Sequence, residues 1–275
     1  MPALTSAEID SHWRYDDPAL SEQTFVRLAD ENPESADEIG TQIARARGLQ
    51  RKFAEARETL KSVSGREGLV GARWHLEMGR VLHSSGDDSA AKPHFESALA
   101  LAEEAQADSY AVDAIHMLAI IAKGDEALSL NLRAIERAKA SEDERVRGWL
   151  GSLLNNTAWS LHDLGRFEEA LALFQDALDF RRKQGVESRI AIAEWSVARC
   201  LRSLGRFEEA LARQRALSPE DGYVAEEMGE NLLALGRAEE ARAFFGSAFE
   251  LLSTDPWMVE NEKDRLDRLH DLSQA

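Results

Sequence analysis

The side chains best suited to bind another molecule are amides and guanidinium groups. Asn155 and Asn156 are adjacent, and an asparagine amide can donate to and accept from an extended peptide backbone. Arginines such as Arg45, Arg80 and Arg199 can hold a carboxylate or phosphate through two parallel hydrogen bonds. These residue types favour binding of a peptide or an anion. The alternative is that the arginines pair only with glutamates along or between helices.

Motifs for catalysis, metal binding or nucleotide binding are absent from the sequence. The chain contains no H-E-x-x-H, G-x-x-x-x-G-K-[ST], C-x-x-C or G-x-S-x-G. Its 7 histidines are scattered, and none lies three or four residues from another. Adjacent glutamates at 168–169 and 208–209 begin helices and complement the helix dipole. We therefore expect no enzyme activity, no cofactor and no metal site.

The segment from Leu154 to Leu178 predicts a helix–turn–helix hairpin that would position such side chains. Gly165 ends the first helix, because glycine adopts the left-handed conformation at no steric cost. The first helix is expected to bury one face, which carries Leu154, Leu161 and Leu164. The second helix carries apolar residues at spacings of three and four, namely Phe167, Ala170, Phe174 and Ala177. One hairpin cannot bury both of its faces, so it must pack against similar hairpins.

The chain supplies those neighbouring hairpins. Residues Leu204–Ala212 repeat Leu164–Ala172 residue for residue, as Leu-Gly-Arg-Phe-Glu-Glu-Ala-Leu-Ala, and Leu235–Ala241 is a looser copy. An alanine that packs into each hairpin marks about six helix pairs, at Ala56, Ala91, Ala127, Ala170, Ala210 and Ala241. A chain of stacked hairpins is therefore predicted, with its core divided into local layers.

These repeats resemble the tetratricopeptide repeat, a helix–turn–helix unit of about 34 residues. Ala170-x3-Phe174 matches the second half of its pattern, and Met228-Gly229-x2-Leu232 matches the first half conservatively. The Leu-Asn-Asn opening and long second helix of the hairpin are most similar to the longer-helix variant in kinesin light chains and many bacterial regulatory proteins. The resemblance covers roughly residues 36–252. It implies an all-α, right-handed superhelical α-solenoid of about six helix pairs with N- and C-terminal cap helices.

The expected organisation has three parts: residues 1–34 as a loose tail and a cap helix, 35–253 as the solenoid, and 254–275 as a C-terminal cap helix. One cap, six pairs and a second cap predict about fourteen helices. Capping boxes are expected at Ser35-x-x-Glu38 and Ser141-x-x-Glu144, the latter opening a long helix to about Asp163. Ser218-Pro219 is expected to stop the fifth pair early. Three residues are expected to cover the end of the stack: Trp257, Leu266 and Leu269.

The resemblance also implies which residues bind a ligand. In this family the first helices of successive pairs line a concave wall, and asparagines and basic residues on that wall hold peptides. Counting from the position equivalent to Gly151, the side chains at the second, fifth, ninth and twelfth places are expected to face a peptide-binding groove, and in the fourth pair the fifth and sixth places hold Asn155 and Asn156. Its candidate residues are Arg45, Arg80, His83, His116, Asn155, Asn156, Trp159, His162, Arg199, Arg202 and Glu230. For Trp159 the alternatives are an anchor for a partner side chain and a packing contact between repeats.

The same register predicts a gradient of charge along the wall. The early and middle pairs contribute basic side chains, namely Arg45, Arg80, His116, Arg199 and Arg202. The sixth pair contributes acidic ones, namely Glu226, Glu227 and Glu230. A wall that is basic at first and acidic at its C-terminal end would bind a charged peptide in one direction only.

Composition limits the classes of partner. The formal net charge is −17, which argues against nucleic acid and anionic membranes because both require a positive surface. The N-terminus does not resemble a signal peptide, and no apolar stretch approaches the ~20 residues of a membrane span. The single cysteine, Cys200, excludes an internal disulfide. We expect a cytoplasmic protein, and nothing indicates a homo-oligomer.

Two functions are consistent with these observations. The first is a non-catalytic interaction scaffold that binds a peptide segment of a partner protein in the groove. The alternative is a regulatory sensor whose superhelix responds to a small peptide or metabolite and signals to a partner protein. Small-angle scattering with and without ligand would separate them, because a sensor must change its dimensions on binding.

Overall fold

The computed structural model describes residues 3–218 and 220–275. The secondary structure of these residues is helical, with seventeen α-helices and one short 3₁₀ helix at Pro33–Ser35. No helix in the described part of the chain is both long and apolar enough to cross a membrane. The chain divides into two compact units, Met1–Trp149 (unit 1) and Leu150–Ala275 (unit 2).

Unit 1 consists of three helix pairs preceded by two further helices and followed by one helical turn. Its helices are α1 Ser6–Asp10, α2 Pro18–Glu31, α3 Ala36–Leu49, α4 Phe53–Ser62, α5 Gly68–Ser84, α6 Asp88–Glu104, α7 Asp108–Ile121, α8 Gly124–Ala140 and α9 Glu144–Arg147. The pair α3/α4 packs against α5/α6, and α5/α6 packs against α7/α8. The marker alanines of these pairs, Ala56, Ala91 and Ala127, are buried as predicted.

Unit 2 repeats this arrangement. Its helices are α10 Leu150–Asp163, α11 Phe167–Gln184, α12 Glu187–Ser203, α13 Phe207–Gln214, α14 Gly222–Ala234, α15 Ala238–Leu252, α16 Pro256–Asn261 and α17 Lys263–Gln274. The pairs are α10/α11, α12/α13 and α14/α15, and α17 packs against α15. Leu266 and Leu269 of α17 are buried against this last pair, as expected of a cap.

The Leu-Gly-Arg turns of unit 2 confirm the predicted helix ends. Gly165, Gly205 and Gly236 have φ angles of 72°, 73° and 74°, the left-handed region in which glycine is unstrained. Leu164 lies in the first of these turns and is 40% exposed. The expectation that it shares the buried face of Leu154 and Leu161 is therefore wrong, because α10 has ended at Asp163.

Close approach of the paired helices depends on small residues at matching places in both units. A Cβ atom added to Gly79 would lie 2.4 Å from Cε1 of Phe95, and one added to Gly229 would lie 2.7 Å from Cε1 of Phe245. Both phenylalanine rings are buried. A first-helix glycine facing a second-helix phenylalanine therefore fixes the spacing of the pair in unit 1 and unit 2 alike.

The predicted total of about fourteen helices is too low, although the six pairs are all present. The three additional helices are α1, α9 and α16. The N-terminal tail, expected to be loose, forms α1 because Ile9 is buried in a cluster with Phe25 and Ile39. At the other end, Met258 of α16 is buried and Trp257 is 49% exposed, so Trp257 is not the covering residue.

Neither expected capping box forms. Ser35 Oγ accepts from the backbone N–H of Leu4 at 2.8 Å, and Glu38 accepts from Arg73 at 2.7 Å. A charge-assisted bond to arginine is stronger than one to a neutral backbone N–H, which explains why Glu38 is drawn away from the helix end. At the second position Asp143 caps α9, and α9 is separate from α10. The prediction of one long helix from residue 144 to about Asp163 is therefore wrong.

The fifth pair has a short second helix. Helix α13 spans only Phe207–Gln214, in agreement with the expectation that the fifth pair stops early. The helix ends before Ser218, and Pro219, which was expected to stop it, lies outside the described residues.

Candidate binding surface

In unit 1, the predicted arginines are Arg45 of α3 and Arg80 of α5, and with α7 these helices form what we call the unit 1 wall. Arg45 and Arg80 both donate to Glu77, with Nη1–Oε1 distances of 3.2 and 2.5 Å, and Arg80 also pairs with Asp113. Burial would raise the pKa of Asp113, but the Arg80 and Arg45 guanidinium groups hold it below its usual range. The structure therefore brings these arginines together with carboxylates of the same wall.

The N-terminal segment completes this network. Arg73 is 2% exposed and donates to Asp10 at 2.5 Å and to Glu38 at 2.7 Å. Trp13 Nε1 donates to Gln42 at 3.0 Å, and the Arg45 guanidinium lies 5.9 Å from the centre of the Trp13 ring. The segment that follows α1 thus lies against side chains of the unit 1 wall.

The two histidines predicted for this wall have internal contacts. His83 Nδ1 lies 2.5 Å from Asp88 Oδ1 at the turn between α5 and α6. The His116 ring lies 5.5 Å from that of Trp149, and burial lowers the pKa of His116. Neither histidine therefore adds a freely available positive charge to the wall.

In unit 2 the corresponding wall is formed by α10, α12 and α14, and its acidic residues are paired. Glu227 is 4% exposed and accepts from Arg202 at 2.7 and 2.9 Å, with Arg199 Nε 3.1 Å away. Two arginines of α17, Arg265 and Arg268, pair with the other acidic residues of α14, Glu226 and Glu230. The expected acidic end of the wall is therefore neutralised, because the cap helix supplies arginines that the repeat pattern does not contain.

Aromatic side chains connect the three first helices of unit 2. The Trp159 ring packs edge-on to Phe174 at 4.9 Å and lies 6.0 Å from the Trp195 ring, which in turn lies 6.3 Å from Tyr223. Trp159 is half-buried, so it packs between repeats while part of its surface remains accessible. His162 is beside it and lies 2.9 Å from Ser203 Oγ. Burial lowers the pKa of His162.

A pocket of about 200 Å³ opens at the start of this wall. It is lined by residues of α10, α11 and α12, namely Gly151, Ser152, Asn155, Asn156, Ala177, Arg181, Arg189, Ile192 and Ala193. The Asn155 side chain accepts from Ser196 at 3.3 Å and donates to Asn156 Oδ1 at the long distance of 3.4 Å. Ile192 at the pocket edge is 62% exposed. The pocket therefore combines amide groups with an exposed apolar side chain.

Comparison with known proteins agrees with this geometry. The sequence profile described as Tetratricopeptide repeat matches residues 150–183. A tetratricopeptide repeat protein from Parabacteroides merdae aligns over 98% of this chain and 97% of its own, at 14% identity and a TM-score of 0.56. The structure of NprR in complex with its cognate peptide NprX aligns over 98% of this chain and 84% of its own, at 13% identity and a TM-score of 0.58. Residues 150–183 thus match a tetratricopeptide repeat, and the chain shares the fold of proteins built from such repeats. Comparison with the curated proteins finds no match.

Of the residues that line the pocket, only Asn155 and Asn156 were predicted from the sequence, and both of its charged residues, Arg181 and Arg189, were missed. Arg189 lies at the start of α12, before the places counted for the wall. Arg181 belongs to a second helix, whereas the wall was assigned to first helices. The residue that could have indicated the position of Arg181 is Gly151, because a Cβ atom on Gly151 would lie 2.4 Å from Cζ of Arg181. This glycine makes room for the arginine to cross α10.

Among the described residues, no group of three or more histidine, cysteine, aspartate or glutamate side chains could hold a metal ion. The pocket side chains are amides, guanidinium groups, a hydroxyl and aliphatic groups, which suit hydrogen bonding and charge recognition. These groups can bind a ligand through hydrogen bonds, charge and apolar contact.

Proposed function

We propose that the protein binds an extended peptide segment of a partner protein on the unit 2 wall and does so without catalysing a reaction. The observation that carries the proposal is the juxtaposition of the Asn155–Asn156 amides with exposed Ile192 at the pocket. A peptide backbone offers one donor and one acceptor for each residue other than proline, and asparagine amides can match both.

The apolar part of the wall suits the side chains of such a peptide. Ile192 is 62% exposed and Tyr223 is 38% exposed, and the half-buried Trp195 ring connects to Tyr223. Aromatic anchors in partly enclosed sites account for much of the binding energy at protein interfaces. Amides beside apolar contacts would fix both the backbone and the side chains of a bound segment.

The fold comparison and the charge support the same class of partner. NprR, which shares this fold, has a structure in complex with its cognate peptide NprX. The net charge of −17 disfavours nucleic acid and anionic membranes, since neither would be attracted to the protein as a whole.

The test uses an unbiased display library of 12-residue peptides selected on the full chain. We expect enriched peptides to lose roughly tenfold or more in affinity for Ile192→Asp and for an Asn155→Ala/Asn156→Ala double variant. Ile120→Asp is the matched control, because Ile120 is an exposed isoleucine of unit 1, at 44% exposure. It should bind within about twofold of the wild type. Enriched peptides that bind all three variants equally would place the binding surface elsewhere.

A further inference from the structure

The second helix of the fifth pair, α13, buries fewer apolar side chains than the other second helices of unit 2. It buries only three side chains, those of Ala210, Leu211 and Gln214. Helices α11 and α15 each bury four, all of them apolar. Burial of apolar surface is the main favourable contribution that holds a helix in a stack of repeats. Helix α13 is therefore expected to separate from its neighbours more easily than α11 or α15.

One of the three buried side chains of α13 is polar and lacks a partner. Gln214 is 1% exposed, and in the part of the chain that the structure describes neither Oε1 nor Nε2 of its carboxamide has a hydrogen-bond partner. Water satisfies both atoms when such a side chain is exposed. Burial without a partner therefore favours a state in which α13 has moved away and Gln214 is hydrated.

The neighbouring pairs show what this place in the repeat otherwise contains. Gln214 lies four residues after the marker alanine of the fifth pair, as Phe174 and Phe245 do in the fourth and sixth pairs. Both phenylalanine rings are buried. The Phe174 ring packs edge-on to Trp159 of α10 at 4.9 Å. The Phe245 ring lies against Gly229 of α14. A ring at this place joins the two helices of a pair, and the fifth pair has an amide instead.

The wall side of the same layer is held by contacts that do not involve α13. Glu227 of α14 pairs with Arg199 and Arg202 of α12. In addition, Trp195 Nε1 of α12 donates to the backbone carbonyl of Tyr223 on α14 at 3.3 Å. The layer is therefore joined directly between its first helices and is weak at its second helix. This is the arrangement of a hinge.

We propose that the fifth pair is a hinge in unit 2: α13 opens locally from α12 and α14, and binding on the unit 2 wall closes it. The second half of this inference rests on the proposed function, whose peptide contacts involve both α12, through Ile192 and Trp195, and α14, through Tyr223. A ligand that bridges two helices fixes their relative position and so favours the closed layer.

One substitution removes the buried amide while keeping its space filled. Gln214→Met introduces an unbranched side chain of similar length that needs no hydrogen bond, so the variant should fold and hold α13 more tightly. Gln23→Met is the matched control, because Gln23 is an exposed glutamine of α2 in unit 1. The two variants make the same chemical change at a buried and at an exposed glutamine.

The first experiment measures amide hydrogen exchange of the full chain without ligand, by mass spectrometry. In the wild type, we expect protection factors at 210–214 to be at least about tenfold lower than in the middle of α11 and α15. Gln214→Met should raise protection at 210–214 by roughly tenfold, and Gln23→Met should leave it unchanged. Equal protection of the three second helices in the wild type, or no gain in Gln214→Met, would refute the hinge.

The second experiment repeats the measurement with a peptide that the display library enriches on the wild type. At about ten times its Kd, the peptide should raise protection at 210–214 by about tenfold and leave α6 of unit 1 unchanged. Ile192→Asp should lose this gain. Protection at 210–214 that does not respond to a bound peptide would refute the coupling and leave the proposed function standing. A library that yields no peptide would refute the proposed function and the coupling with it, while the first experiment still decides whether α13 opens.

Discussion

The walls of units 1 and 2 are built by the same kind of helix pair, but their arginines have different surroundings. In unit 1, Arg45 and Arg80 share Glu77, and Arg73 is covered by Asp10 of the N-terminal segment. In unit 2, Glu227 pairs with two arginines, yet no carboxylate among the described residues pairs with Arg181 or Arg189. An arginine at a wall position is therefore a binding candidate only where no carboxylate of the chain already pairs with it.

The same comparison shows how the ends of the chain affect the walls. The N-terminal segment brings a carboxylate to a wall arginine in unit 1, whereas the C-terminal helix α17 brings two arginines to wall glutamates in unit 2. Each addition pairs a charged side chain of a wall with an opposite charge from outside the repeats. Within the described residues, the pocket formed by α10, α11 and α12 is lined by these three helices and by neither terminal segment.

The largest expected difference between the units is in the loss of stability when one arginine side chain is removed. Arg73→Ala should lower the free energy of unfolding by about 3–5 kcal/mol, because it leaves the carboxylates of Asp10 and Glu38 without their buried partner. Arg189→Ala should change it by less than about 0.5 kcal/mol, since Arg189 is exposed and pairs with no carboxylate in the described part of the chain. Urea denaturation followed by circular dichroism measures both. Equal effects would show that the two arginines have the same structural role.

A smaller difference is expected for the same glycine-to-alanine change in each unit. Gly79→Ala brings a methyl group within 2.4 Å of the buried Phe95 ring, so overpacking should cost about 1–3 kcal/mol. Gly151→Ala meets the movable end of Arg181 and should cost less than about 0.5 kcal/mol. Thermal unfolding of the two variants tests this contrast. A strongly destabilised Gly151→Ala would mean that Arg181 cannot move aside.

The smallest expected effect is a pH dependence that arises in unit 1. His75 Nδ1 lies 3.0 Å from His94 Nδ1, and burial together with His94 and Arg66 lowers the pKa of His75 to about 4. Between about pH 6.5 and 4 the unfolded chain binds a proton that the folded chain does not. Stability should therefore fall as the pH drops through this range, by about 1–2 kcal/mol from this residue once its partial exposure is considered.

His75→Gln should flatten this part of the stability curve. His12→Gln, at an exposed histidine, is the control and should leave the curve unchanged. The measurement is the free energy of unfolding at a series of pH values from 7 to 5. An acid destabilisation that persists in His75→Gln would assign the effect to other groups.

Local pattern determined most of the fold. The spacing of apolar residues and the Leu-Gly-Arg turns predicted six helix pairs, and all six are present with their marker alanines buried. These features depend on neighbours within one hairpin, such as Ala170 against the adjacent helix and the left-handed Gly165. Contacts of this kind are specified by residues a few positions apart, which is why the sequence suffices to predict them.

Only the tertiary structure decided which charges are available. Glu38 had the spacing of a capping box but binds Arg73, and Glu230 had a wall position but binds Arg268 of the cap helix. His75 and His94 are 19 residues apart and yet in contact. Arg181 reaches the pocket because Gly151, on another helix, lacks a side chain. Each of these contacts joins residues that are far apart in the sequence. The partner of each side chain therefore depends on distances in the folded chain and not on periodicity.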